Sequence, residues 1–248
     1  MPQRPSVPVA SGLPAEFSAG VVLVHAHPDD ETLTTSALIS ALAEADITVT
    51  VVTATRGERG EIVPGSVPNG ADLTAVRAAE LRAALDALGV SRHAYLGAGR
   101  RHYRDSGMVW GADGRAAAAP DRDPEALTAA EPAEMDADLR ALILDGAPGA
   151  PGALVTYDSD GGYGHPDHLA CHEMTRRVAR ELELPLYVIL DPEDPDFTLE
   201  ISRAEHRDRV RAAHAAHASQ FALADTFVTH SGGQMQELQA VERFRRVD

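Results

Sequence analysis

Val21-Val22-Leu23-Val24-His25-Ala26-His27-Pro28-Asp29-Asp30-Glu31 is the stretch on which the fold turns. Four consecutive apolar residues running into polar ones predict a short strand buried on both faces, as in a parallel sheet. The Leu- and Ala-rich residues from about Glu31 to Ala45 predict a helix directly behind it. The alternation then repeats. Ile47 to Val52 carries β-branched strand chemistry, and Leu73 to Leu88 has apolar residues at helical spacing before Gly89, a residue suited to the left-handed end of a helix. His93 to Leu96 predicts a third strand, and Glu131 to Leu144 a third helix in which Thr128 and Glu131 have capping-box spacing. Ala153 to Thr156 and Leu186 to Leu190 predict two more strands around a helix from near His165 to about Leu182, and Ser202 to Gln220 a last long helix. Strands alternating with helices predict an α/β fold: a Rossmann-like, mostly parallel sheet with helices on both faces. We expect a loose leader over residues 1–19 and a single domain over 20–248. Ligands in such folds bind at the carboxyl ends of the strands.

The length of 248 residues suits one such domain. Set against 38 acidic residues are 22 basic ones, all Arg, for a formal charge of −16. That sign opposes capture of nucleic acid or anionic lipid, and the lack of lysine excludes a catalytic lysine. Cys171 is the single cysteine, so neither an intrachain disulfide nor a Cys-based zinc knuckle can form, which suits a reducing cytoplasm. The first 19 residues lack a secretory apolar run, and no stretch reaches the roughly 18 apolar residues of a membrane span. We therefore expect a cytoplasmic protein with neither nucleic-acid nor membrane partners. G-x-G-x-x-G after the first strand, a Walker loop and a G-x-S-x-G elbow are all absent, so dinucleotide, NTP and serine-hydrolase readings have no support.

Chemistry concentrates at two βα turns. His25-Ala26-His27-Pro28-Asp29-Asp30-Glu31 follows the first predicted strand, and Gly161-Gly162-Tyr163-Gly164-His165-Pro166-Asp167-His168 follows the fourth. In each, Pro fixes the turn and a helix follows, so His27 with Asp30, and His165 with His168, can approach one face. Two neutral imidazoles and a carboxylate with open positions make a catalytic zinc set, and also a facial triad that suits Fe(II). Water on such a metal falls to a pKa of roughly 7, so hydroxide becomes available near neutrality. The plainer account is helix capping, but a cap needs one oxygen per helix, and these turns spend three His and three Asp.

His27-Pro28-Asp29-Asp30-Glu31, preceded by Ala26, together with His165-Pro166-Asp167-His168, resembles the paired signature of the PIG-L (LmbE-like) family of zinc-dependent N-deacetylases. Gly161 to His168 and Arg104-Asp105-Ser106-Gly107-Met108 are similar to the family's mycothiol-pathway members, above all those acting on N-acetylglucosaminyl-inositol. The likeness runs from about Val21 to Leu190. It implies His27, Asp30 and His168 as ligands of Zn2+, with Fe2+ as the alternative ion. It implies Asp29 as general base, and His165, oriented by Asp167, as the group that stabilises the oxyanion and protonates the leaving amine. Tyr163 matches a mobile tyrosine that closes over the reacting carbonyl; Glu61, Arg77 and Asp105 match positions that hold the sugar. The implied substrate is a small amino-sugar conjugate of the glucosaminyl-inositol type. A mycothiol S-conjugate amidase and a natural-product sugar deacetylase share that catalytic set. From other classes stand a non-catalytic metal- or sugar-binding protein, which would not need Asp29 and His165, and a metal phosphoesterase, for which only Glu31 offers a further carboxylate. The 58 residues after Leu190 make a shorter tail than in the mycothiol-pathway enzymes, which implies a wider pocket or one finished by another subunit. Members of this fold associate, so a homo-oligomer is expected.

Other residues read as structural. His25 ends a buried strand, His172 is a poorer partner for His168 than His27 is, and Cys171 is a small buried residue. His206, His214 and His217 read as a solvated helix face, and Arg100, Arg101, His102, Tyr103 and Arg104 as a substrate rim or a solvated loop. Without the resemblance, Arg77 reads equally well as a helix-surface arginine.

Overall fold

Val21–His25 (β1), buried at every position, is an interior strand of a seven-stranded sheet. The computed structural model describes residues 12–90, 92–121, 123–145 and 150–247. β1 runs parallel to Val49–Thr53 (β2) on one side, and β2 runs parallel to the edge strand Arg92–Tyr95 (β3). A long excursion follows that contains a small hairpin, Met108–Trp110 (β4) with Ala116–Ala118 (β5). The chain then returns to the other side of β1 as Ala153–Tyr157 (β6), beside which Leu186–Leu190 (β7) is again parallel. Because β2 and β6 flank β1 from opposite sides, the carboxyl ends of β1 and β6 meet where the winding reverses, the crevice that binds ligands in doubly wound sheets.

Helices Asp30–Glu44 (α1), Leu73–Leu88 (α2), Pro132–Asp145 (α3), the single turn Gly161–Gly164 (α4) and Pro166–Glu181 (α5) link these strands. One apolar cluster, with Leu23, Val51, Leu38, Leu42 and Leu81, fills the α1/α2 face, and another, with Val24, Leu154, Leu139, Met174 and Val178, fills the α3/α5 face. No helix among the described residues is long and apolar enough to cross a membrane.

The tail departs most from expectation. Leu199–Ser202 (β8) leads through a 3-10 turn into Arg207–Ala216 (α6), so the expected helix over Ser202–Gln220 is cut at both ends. At its carboxyl end the chain is pulled out of the helix by tertiary bonds: His217 to Glu31, and Ser219, through N–H and Oγ, to the Glu80 carboxylate. Phe221–Leu223 (β9), Phe227–His230 (β10) and Met235–Glu237 (β11) form a separate antiparallel sheet. Val241–Val247 (β12) then enters the main sheet antiparallel between β7 and β8. The sheet is thus mostly parallel, as expected, with an antiparallel extension.

Two smaller expectations also change. Residues 1–11 of the expected leader lie outside the described residues, but the rest is not loose: Phe17 is fully buried and meets the Tyr187 ring edge-on at 4.9 Å. Thr128 forms no capping box. Its N–H and hydroxyl both donate to Ser106 Oγ, and α3 starts at Pro132, where a missing N–H costs nothing.

Candidate metal centre and active site

The first turn is held by its own backbone. Asp29 sits at φ 117°, a left-handed conformation rare outside glycine, and its N–H donates to Glu31 Oε2 at 2.9 Å. Glu31 is fully buried, where its other oxygen accepts from Thr32 Oγ1 at 2.6 Å and lies 2.7 Å from His217 Nε2. The reading of His217 as a solvated residue is therefore corrected: it and His214 are buried, and His217 props the turn from the far end of the chain. Asp30 Oδ2 accepts from the His27 N–H at 2.8 Å and from Tyr157 Oη at 2.7 Å.

The second turn brings its imidazoles onto the first. Asp30 Oδ1 lies 3.4 Å from His168 Nε2, and Asp30 Oδ2 lies 3.3 Å from His27 Nδ1, so the three expected ligands converge on one carboxylate. Donor atoms of His27, His165 and His168 lie within 4.8 Å of one another, as do those of His27, Asp105 and Asp167. His168 Nδ1 faces the Gly161 carbonyl at 3.2 Å, which assigns its proton to Nδ1 and leaves Nε2 as a buried lone pair without a hydrogen bond. A bare imidazole nitrogen facing a carboxylate is unfavourable unless a cation lies between them. Buried Asp30, Asp105 and Asp167 around His27 point the same way, so this donor set fits a divalent metal.

His165 serves as the side-chain cap of α5, its Nδ1 accepting from the Asp167 N–H at 3.1 Å. Burial, and the neighbouring His27 and His168 imidazoles, push its pKa down to about 3. It is thus neutral with its proton on Nε2, a donor facing the cluster. Burial and the adjoining Asp30 carboxylate push Asp29 up to about 7. Burial would also raise Asp30, but His168 and His27 outweigh it and hold Asp30 well below the usual carboxylate range. The expected role of Asp167 is redistributed: its carboxylate lies 3.2 Å from His27 Nε2 and accepts from the Ser106 N–H, and only its backbone N–H orients His165.

The match to known proteins can be set beside this geometry. The family described as GlcNAc-PI de-N-acetylase, PIG-L, matches residues 22–179, more than half of the chain. The chain belongs to the PIG-L family. The 1D-myo-inositol 2-acetamido-2-deoxy-alpha-D-glucopyranoside deacetylase of Kineococcus radiotolerans is 46% identical over 166 residues, covering 64% of this chain and 44% of that one. The protein of the same name from Thermobifida fusca is 34% identical over 271 residues, covering 90% and 91%. This chain spans about half the length of the first relatives it matches, from 44% to 54%. Among solved structures, a deacetylase–teicoplanin complex superposes with a TM-score of 0.60 at 20% identity, covering 92% of this chain and 99% of that one. N,N'-diacetylchitobiose deacetylase from Pyrococcus horikoshii does so at 0.54 and 16% identity, covering 80% and 69%. At such identity the likeness shows the PIG-L chain's fold.

The residues expected to hold a sugar part company. Asp105 is buried, 3.8 Å from His27 Nε2, and accepts from the Gly107 N–H at 2.7 Å. Arg77 is buried, not a surface arginine, and donates to the carbonyls of Gly57 and Glu61. A β-carbon at Gly57 or Gly60 would lie 2.2 Å or less from its guanidinium, so a side chain at either position would displace Arg77 from its present place. Glu61 is exposed, with Ser231 Oγ 3.4 Å from its carboxylate. In the basic-aromatic stretch at 100–104 only Tyr103 is buried, donating to Asp138; Arg100 and His102 are exposed, as in a solvated loop, and Arg100, Arg101 and Arg104 pair with Asp138, Glu134 and Asp123. His25 and His172 stay structural, near Thr35 Oγ1 and the Tyr157 carbonyl.

Tyr157 escaped the reading of the PIG-L sequence. Its ring stacks on His168 with centroids 4.0 Å apart and 9° between planes, while its hydroxyl binds Asp30, so one side chain braces two expected ligands. The available signal was its position as the last residue of a strand ending at the second cluster.

Proposed function

We propose that the chain is a metal-dependent N-deacetylase that hydrolyses the acetamide of a small amino-sugar conjugate, with a glucosaminyl-inositol-type substrate favoured. The observation that carries this reading is a hydrogen-bond donor and a base beside one ligand cluster: His165, neutral with its proton on Nε2, and Asp29, with its carboxyl near 7. Amide hydrolysis must stabilise an oxyanion and expel a poor leaving group, so it needs such a pair together with a metal.

His27, Asp30 and His168 would hold the metal, zinc by preference, with ferrous iron suited to the same donors. When bound, it supplies Lewis-acid polarisation and a water of lowered pKa. Asp29 takes the water proton, for which a pKa near neutrality is the right setting. His165, neutral, keeps its proton and donates an Nε2–H hydrogen bond to the oxygen that gains charge, while the proton that Asp29 took from water passes to the departing nitrogen. Asp167 steadies a ligand through its carboxylate and His165 through its N–H. Arg77, whose charge favours ionised Asp29, shapes the 57–61 loop, and Glu61, Asp105 and Tyr163 take the hydroxyls and the outer face of the sugar.

The test is acetate release from N-acetylglucosaminyl-inositol, N-acetylglucosamine and a mycothiol S-conjugate, with zinc, with ferrous iron and after chelation. Chelator-sensitive turnover of the first compound is the expected result. Silence across the panel with metal bound would overturn the reading.

A further inference from the structure

Two large aromatic side chains stand exposed at the site's rim: Trp110 at 56% and Tyr163 at 43%. They come from different elements and meet with ring centroids 5.8 Å apart, tilted by 35°. Tyr163 in turn lies 5.3 Å from the His168 ring and 5.9 Å from the His165 ring, both buried. The order is therefore catalytic imidazoles, then Tyr163, then Trp110, with exposure rising outward.

The placement is built in. Trp110 ends β4 and pairs with Ala116 of β5, and that hairpin rests on the turn that carries Tyr163. A β-carbon at Gly164 would lie 3.2 Å from the Ala116 carbonyl, so the two segments touch at backbone distance. Arg115, in the hairpin's turn, donates to the Asp160 carbonyl at 3.0 Å and clamps the other end of α4. Neither ring serves a core: a tryptophan more than half exposed leaves much of its apolar surface in water, and a ligand can cover it.

We infer that Trp110 and Tyr163 form a stacking subsite for a second six-membered polyol ring, cyclitol or pyranose, joined to the amino sugar that reacts. The inference rests on the deacetylase reading above. The acetamide must lie among Asp29, His165 and His168, so its own ring lies next to Tyr163, and Trp110 is one ring further out. Aromatic faces take the C–H-rich face of such a ring and leave its hydroxyls to solvent and to the rim. Arg115 is engaged by Asp160, so an uncharged ring fits beside the indole better than a phosphate.

Trp110 is the only tryptophan of the chain, so its emission reports this subsite directly. The full chain, zinc-loaded, is titrated with N-acetylglucosaminyl-inositol, N,N'-diacetylchitobiose and N-acetylglucosamine. A saturable blue shift or quench with one or both two-ring compounds, and none with the single ring, is expected; which compound responds identifies cyclitol or pyranose. The second readout is the ratio of kcat/KM for the responding two-ring compound to that for N-acetylglucosamine. Trp110→Ala should lower that ratio at least tenfold, through KM, and Trp110→Phe should restore most of it. Unchanged emission while the two-ring compounds are turned over, or an unchanged ratio in Trp110→Ala, overturns the subsite. Emission that responds without acetate release from any compound overturns the deacetylase reading and leaves the subsite standing.

Discussion

The same tripeptide, His-Pro-Asp, stands at the ends of β1 and β6, and the two copies are built for opposite purposes. At the first, the backbone is forced into a left-handed conformation at Asp29 and locked by Glu31, which His217 holds from another element. At the second, His165 caps its own helix, and Gly161, Gly162 and Gly164, all at positive φ, surround an exposed Tyr163. One turn is locked by bonds from a distant element; the other is shaped by its glycines and rests on the β4–β5 hairpin. A shared motif does not reveal that difference.

Substitutions sharpen that contrast, and His168→Ala should have the largest effect: it removes a ligand, so the roughly one equivalent of zinc expected for such a site should be absent on metal analysis and turnover should fall to background. Full metal retention would remove His168 from the ligand set. Asp29→Asn should keep the metal and lose about 10²–10⁴-fold in kcat; full activity would sink the proposed base. His217→Ala breaks a buried pair and should cost about 3–5 kcal/mol in urea unfolding, whereas an exposed histidine would cost next to nothing. Tyr157→Phe should weaken metal affinity by about 10–100-fold, the usual effect of losing a group that orients a ligand, as read by competition with a chelator. Gly162→Ala, at φ 69° and ψ −89°, a conformation that strains an L-residue even with open space around it, should cost more than about 1 kcal/mol and slow turnover by altering the Tyr163 turn. Unchanged turnover would show that the shape of this turn does not matter to the reaction.

The strands of the main sheet up to β7, and the long helices between them, were legible because each is a local pattern: an apolar run for β1 and β6, helical spacing closed by Gly89 for α2; the β4–β5 hairpin and α4, each only three or four residues long, were not. The ligand candidates were legible because both turns crowd acids and imidazoles into a few residues. His217, Tyr157 and Trp110 were not, since each acts on a turn residue 53 to 186 positions away in the chain. His217 looks like a polar residue at the end of an Arg- and Ala-rich helix, and only packing α6 against α1 and α2 brings it to Glu31. The antiparallel strands of the tail are either short, as in β9 to β11, or charged, as in Val241–Val247, so no strong apolar alternation announces them.

β12 has a consequence for biosynthesis. It lies between β7 and β8, and its Glu242 accepts from the N–H groups of Ala37 and Leu38 and from Ser36 in α1, the helix that begins with Asp30. On a ribosome that adds about 5–20 residues per second, β8 waits some seconds for a neighbour that has not yet been made. During that interval the edge of β7 is open to any passing strand. Nascent chains that have not yet reached residue 241 should therefore be the aggregating species.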